Sequence, residues 1–168
     1  MIKTNYFQKL IDQKILTDDI LGACIYGCNK RAKNYRDKLR EYPRYSRYRG
    51  NCYEKKDLYY RMKDEFLSII KPVAVHWEHQ LNYDGDWVVK YFLYYKVGTY
   101  SFHKPVNEED IDPSLPEYKL KDFYTTGEDY RDLVSVQFCR KVLDLIRSKD
   151  YTYLPTATAI KGGKDLNE

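Results

Sequence analysis

No stretch of the chain approaches the ~18 uninterrupted apolar residues that a membrane-spanning helix needs. The N-terminal MIKTNYFQKL has no apolar core of the kind a secretory signal carries. A cytoplasmic protein that stays off membranes is the expectation. Cysteine is scarce, at Cys24, Cys28, Cys52 and Cys139, and in a reducing compartment these are expected to be free thiols. Glycine is sparse too, with eight positions, and none falls in a phosphate-binding pattern. Lys161-Gly162-Gly163-Lys164 has no strand before it and no Walker spacing. The sequence also lacks GxSxG, HExxH and CxxC. Asp110 and Asp112 resemble the start of a calcium loop, but neither the required glycine nor the closing glutamate follows. These absences imply no cofactor and point away from catalysis.

What is present is tyrosine and an uneven distribution of charge. Of 168 residues 19 are Tyr, whose rings supply apolar area while their hydroxyls stay wet, so much of the 43% apolar content suits surfaces and interfaces. The net charge of +4 hides a strong asymmetry. From Lys30 to Lys63 there are 13 Lys/Arg against four acids, a local net of +9. From 106 to 132 nine acids face three bases. Blocks of one sign bear on partners more than on fold.

The length suits one domain, expected over residues 1–150, with 151–168 as a loosely held tail. A first helix is predicted from the cap-like Thr4 to about Ile15. Thr17 caps a second, with Asp18 and Asp19 in the first turn, where the helix dipole favours acids. Leu21, Ile25, Cys28, Ala32, Tyr35 and Leu39 recur at helical spacing, and Pro43 ends the element. Asn51 to Glu54 reads as a capping box for a third helix with Leu58, Met62, Phe66 and Ile69/Ile70 inward, stopped by Pro72.

A meander of three strands follows. Val73 to Tyr83 alternates, with Val73, Val75, Trp77, Leu81 and Tyr83 on one half-buried face. A three-residue loop, Asp84-Gly85-Asp86, pairs Trp77 with Leu93, Val75 with Tyr95 and Gln80 with Lys90, keeping one apolar face. Val97-Gly98 turns the chain into a third strand, Thr99 to Lys104, ended by Pro105. The acidic stretch reads as loop to about Tyr124. Thr126 to Asp129 forms a second capping box, opening a helix with Val134, Phe138, Val142 and Leu145/Ile146 inward. The fold class is therefore α+β: three N-terminal helices, a three-stranded antiparallel meander, and a C-terminal helix packed on the sheet.

Two constellations invite chemistry. His76, Glu78 and His103 could serve a small metal-dependent hydrolase or nuclease. In the register above, Glu78 and His103 lie opposite Phe92 from either side, roughly 9–10 Å apart, too far to share one metal. Cys24 and Cys28, four apart on a helix, have ligand-like spacing, but Cys28 belongs to the apolar stripe and Cys24 borders it, which favours core thiols.

The more specific signal is the basic, tyrosine-rich segment. Lys30, Arg31, Lys33, Arg36, Lys38 and Arg40 are predicted to ring the outside of helix two. In the link, Tyr42, Tyr45 and Tyr48 alternate with Arg44, Arg47 and Arg49, and Lys55, Lys56, Arg61 and Lys63 follow. Clustered cations suit phosphates, and rings or guanidinium planes suit unpaired bases. Arg and Tyr are also enriched where protein interfaces carry energy. The competing reading is a wet helical face with an Arg-rich loop, neutralised in part by the chain's own acidic stretch.

A composition rich in Lys, Tyr, Asp and Ile, no catalytic signature, and a compact domain with a charged, aromatic surface together resemble the small accessory proteins of phages and mobile elements. Anti-CRISPR and other anti-defence inhibitors belong to that group. The expectation is a non-catalytic protein whose Tyr42, Arg44, Tyr45, Arg47, Tyr48, Arg49, Lys55 and Lys56 engage nucleic acid or a nucleoprotein; the resemblance implies inhibition of a host defence system. A homo-oligomer joining the basic segment of one copy to the 106–132 stretch of another is the remaining alternative.

Overall fold

A computed structural model describes residues 2–41, 47–119 and 134–154. Four helices and two small sheets follow in order: α1 (Ile2–Asp12), β1 (Ile15–Thr17), α2 (Asp18–Glu41), α3 (Arg47–Leu67), β2 (Ala74–Leu81), β3 (Trp87–Val97), β4 (Tyr100–Val106), α4 (Val136–Ser148) and β5 (Thr152–Leu154). β2-β3-β4 form an antiparallel meander, so the α+β class holds, with helices before and after the sheet.

The α2–α3 hairpin is the frame. At the start of α2 the Thr17 hydroxyl accepts from the Ile20 amide at 3.3 Å, and Asp18 and Asp19 occupy the first turn. The stripe is as the spacing requires, with Leu21, Ile25, Cys28, Ala32 and Leu39 buried and Tyr35 half-buried against the stacked ring of Tyr59. Arg31 departs from expectation. It follows Cys28 by three positions, so it shares the inner face, and its Nη2 donates to the Val134 carbonyl at 2.8 Å. α3 is already helical at Arg47, so Asn51–Glu54 lies inside the helix and caps nothing. The buried face of α3 is Cys52, Tyr59, Met62, Lys63, Phe66 and Leu67.

In the meander Val75 pairs with Leu93, Glu78 with Lys90, and Leu81 with Trp87. The loop thus spans 82–86, and the register sits two residues from the expected one. Asn82 explains the longer loop: its Oδ1 accepts the amides of Asp84 and Asp86 at 3.0 and 2.9 Å, while Gly85 takes the left-handed conformation at φ +82°. A shift of two preserves side-chain parity, so the apolar face survives. Its burial is uneven. Leu93, Tyr95, Val97, Tyr100 and Phe102 are buried, whereas Trp77, Leu81 and Trp87 stay exposed at the far end of the hairpin. Alternation identified the face, but the reach of the helices decides how much of it is covered.

β4 runs through Pro105 to Val106 rather than stopping at Lys104. It is an edge strand, and the carbonyl of His103, two residues back, points outward to Lys63. Pro105 shares that parity, so its missing N–H faces away from the ladder.

α4 is capped by Ser135, whose hydroxyl accepts from the Phe138 amide at 3.1 Å. The Thr126–Asp129 capping box lies outside the described residues. The ring and ion-pair contacts of α4 reach other helices: Phe138 stacks on Phe7 of α1, and Arg147 grips Glu65 of α3 with two bonds. Beyond it, Thr152–Leu154 forms β5, parallel to β1, within the span expected to be loose tail. Tyr153 adds a hydrogen bond to the Asp18 carboxylate at the start of α2.

Candidate functional site

Residues of α2, α3, β3 and β4 line an open pocket of about 700 Å³ along the outer edge of β4. Five cations line it: Lys30, Lys33 and Arg36 from α2, Lys63 from α3 and Lys104 from β4. Asp64 is the only carboxylate among the lining residues. Tyr26, Tyr60, Phe92 and Phe102 supply rings, and Lys30 rests over the Tyr26 ring at 5.3 Å.

Lys63 is the unusual member. It follows Tyr59 by four positions and precedes Phe66 by three, which fixes it on the core face of α3 with only 7% exposure. Its Nζ donates to Asn29 Oδ1 at 3.1 Å and to the His103 carbonyl at 3.0 Å, two of the three hydrogens an ammonium carries. Burial lowers its pKa to about 8; Asp64 opposes that shift, and Lys33 and Lys104 add to it. His103 is affected in the same way. One side of its ring meets solvent, but packing on the other side, then the charges of Lys63 and Lys33, lower it below the usual imidazole value. Burial is the main cause of both shifts, and neighbouring cations add to it.

The sequence singled out the cations but not their meeting place. In the sequence Lys63 groups with the cations of the third helix, without a place on its inner face. The signal that could have found it was its position on the Tyr59–Phe66 face. Of the segment expected to bind partners, Tyr42, Arg44 and Tyr45 lie outside the described residues, as does the side chain of Arg47. Arg49 turns inward: its Nη1 donates to the Leu39 carbonyl in the last turn of α2, and its Nη2 reaches Tyr53 Oη at 3.3 Å. A guanidinium there both satisfies a terminal carbonyl and meets the negative end of the helix dipole. Lys56 lies over the same Tyr53 ring at 5.1 Å, Lys55 is half-buried, and Tyr48 is 61% exposed.

The strand histidines do not assemble into a catalytic group. His76 Nε2 lies 3.7 Å from Glu78 Oε2, but His76 is across from Phe92 and His103 is across from Tyr94. Both imidazoles pack on those two β3 rings, which stand between them. Glu78 faces Lys90, not the Phe92 that the sequence register placed opposite it. Among the described residues no group of three His, Cys, Asp or Glu has a geometry that could hold a metal ion.

Cys24 and Cys28 of α2 meet Cys139 of α4, all fully buried and free, with Arg31 alongside. Hydrogen bonds from the other two thiols lower Cys139, and burial raises Cys24. Cys139 is the member of this cluster that sequence spacing could not connect. Among the described residues no helix is long and apolar enough to cross a membrane. No protein-family model, no curated protein and no solved structure matches the chain.

Proposed function

We propose that the protein binds a nucleic-acid strand, without catalysing a reaction, through the cationic pocket and the row of charges leading from it. The observation that carries this reading is convergence: Lys30, Lys33, Arg36, Lys63 and Lys104 come from three elements to line one pocket that holds a single carboxylate. Clustered cations neutralise phosphates, and the adjoining Tyr26, Tyr60 and Phe92 offer faces on which unpaired bases stack. Helical spacing extends the row. Arg40 follows Arg36 by four positions on α2, and Lys56 precedes Tyr60 by four on α3, both toward the link that carries Arg44 and Arg47. Strand recognition thereby extends from the pocket along the described cations of α2 and α3. The cytoplasm, where the four thiols stay reduced, is the compartment that suits this reading. By compositional resemblance alone, the setting is inhibition of a nucleic-acid-based host defence.

The test is charge reversal away from the core. Lys33 is exposed and Lys104 half-buried, so Lys33→Glu with Lys104→Glu should leave the fold intact by circular dichroism. Affinity for a fluorescent single-stranded oligonucleotide should fall roughly tenfold or more at low salt. Unchanged affinity in the folded variant would overturn the reading.

A further inference from the structure

We propose that the pocket is a receptor for a terminal phosphate, the phosphomonoester at a strand end or on a free nucleotide, rather than for the phosphodiesters within a strand. The proposal rests on the nucleic-acid reading and narrows it to one chemical group.

Depth is the first argument. Lys63 belongs to the pocket lining yet is only 7% exposed, and its Nζ is held by Asn29 and the His103 carbonyl. A phosphodiester carries a sugar on both sides and must pass along a surface. A group that ends the chain can enter and take the remaining ammonium hydrogen.

Charge is the second. Five cations and one carboxylate, Asp64, line the pocket, and Arg36 also lies 3.9 Å from Asp37, which leaves a surplus larger than one diester charge would neutralise. A monoester carries about −1.5 to −2 at neutral pH and presents three acceptor oxygens. Burial, and after it the nearby Lys33 and Lys104, disfavour the charged form of Lys63, which an anion in the pocket would favour.

Size and lining complete the case. About 700 Å³ lies within the ~300–1,000 Å³ range of small-ligand sites and suits one nucleotide rather than a duplex. Tyr26, Tyr60 and Phe92 line the same pocket as the cations, which offers one nucleotide rings for its base and cations for its phosphate.

The experiment compares one single-stranded oligonucleotide with a 5′-phosphate, with a 3′-phosphate, and with hydroxyls at both ends, using the intact chain. A nucleoside 5′-monophosphate serves as competitor. At least one phosphorylated form should bind about tenfold tighter than the hydroxyl form, and Lys104→Gln should abolish that advantage. Lys63→Met is the second variant and should abolish it too where it folds. Displacement by the monophosphate identifies a free nucleotide as a sufficient source; end-dependent binding without displacement assigns the strand end. Equal, salt-sensitive binding of all three oligonucleotides overturns the terminal-phosphate proposal and leaves strand binding standing. An end preference that survives Lys104→Gln also overturns it. Binding of the monophosphate, lost in Lys104→Gln, with no oligonucleotide bound, supports the pocket and overturns the strand reading. No binding of any probe overturns both.

Discussion

Lys63 shows how one buried residue can carry an electrostatic cost in the fold. A buried ammonium with two neutral acceptors and two nearby cations is held in its charged form against the preference of its surroundings. Its pKa is lowered from 10.5 to about 8, so between those values the unfolded chain holds a proton that the folded chain has released. Stability contributed at this position therefore rises with pH across that window and is lowest below it. The unfolding free energy of the wild type, compared with Lys63→Met by denaturant titration, should gain on the order of 3 kcal/mol between about pH 8 and 10.5. A flat difference would show that the ammonium is not penalised. Gly22 is a second residue whose environment is exacting. A Cβ there would lie inside van der Waals contact of the buried Tyr100 ring, which also packs on Tyr26. Gly22→Ala should cost roughly 1–3 kcal/mol in thermal or chemical unfolding, as overpacking does.

Among elements, α2 was the most legible and the short parallel pair the least. Apolar residues at helical spacing and acids in the first turn specify α2 almost completely. β1 and β5 are three residues each and far apart in the chain, too short for any periodicity to register. The meander lies between these cases. Parity could be read from alternation, but register could not, because a shift of two leaves every side chain on its face. Asn82 decided it by spending its side chain on two loop amides. Arg31 and Lys63 illustrate the other gap. Each is a cation on an apolar helical face, which reads as exposed until a partner is known: Val134 for one, Asn29 and His103 for the other. The pocket was illegible for the same reason, since it needs β4 brought against α2 and α3. At the start of α4 the cap is local and testable. Ser135→Ala should cost about 1 kcal/mol of unfolding free energy, within the ~0.5–2 kcal/mol range of lost N-caps. No change would place the helix start elsewhere.

For the whole molecule the question is whether its own acids neutralise its basic side. Among the described residues, no ion pair joins the acids at 108–117 to the cations of 30–63. Glu65 is occupied with Arg147, Lys56 meets Asp57 at 3.8 Å, and Arg36 meets Asp37 at 3.9 Å. Among the described residues the asymmetry visible in the sequence is a cationic pocket with a row of charge beside it. Screening sets how such a surface behaves, because each phosphate neutralised releases counterions and makes affinity fall with salt. The most direct measurement is the affinity of the wild-type protein for a single-stranded oligonucleotide across a salt series. Engagement of a strand by the pocket and the row of cations beside it predicts a clearly negative slope of log K against log salt, at roughly −0.7 per phosphate contact. A slope near zero, or no binding at low salt, would contradict the account.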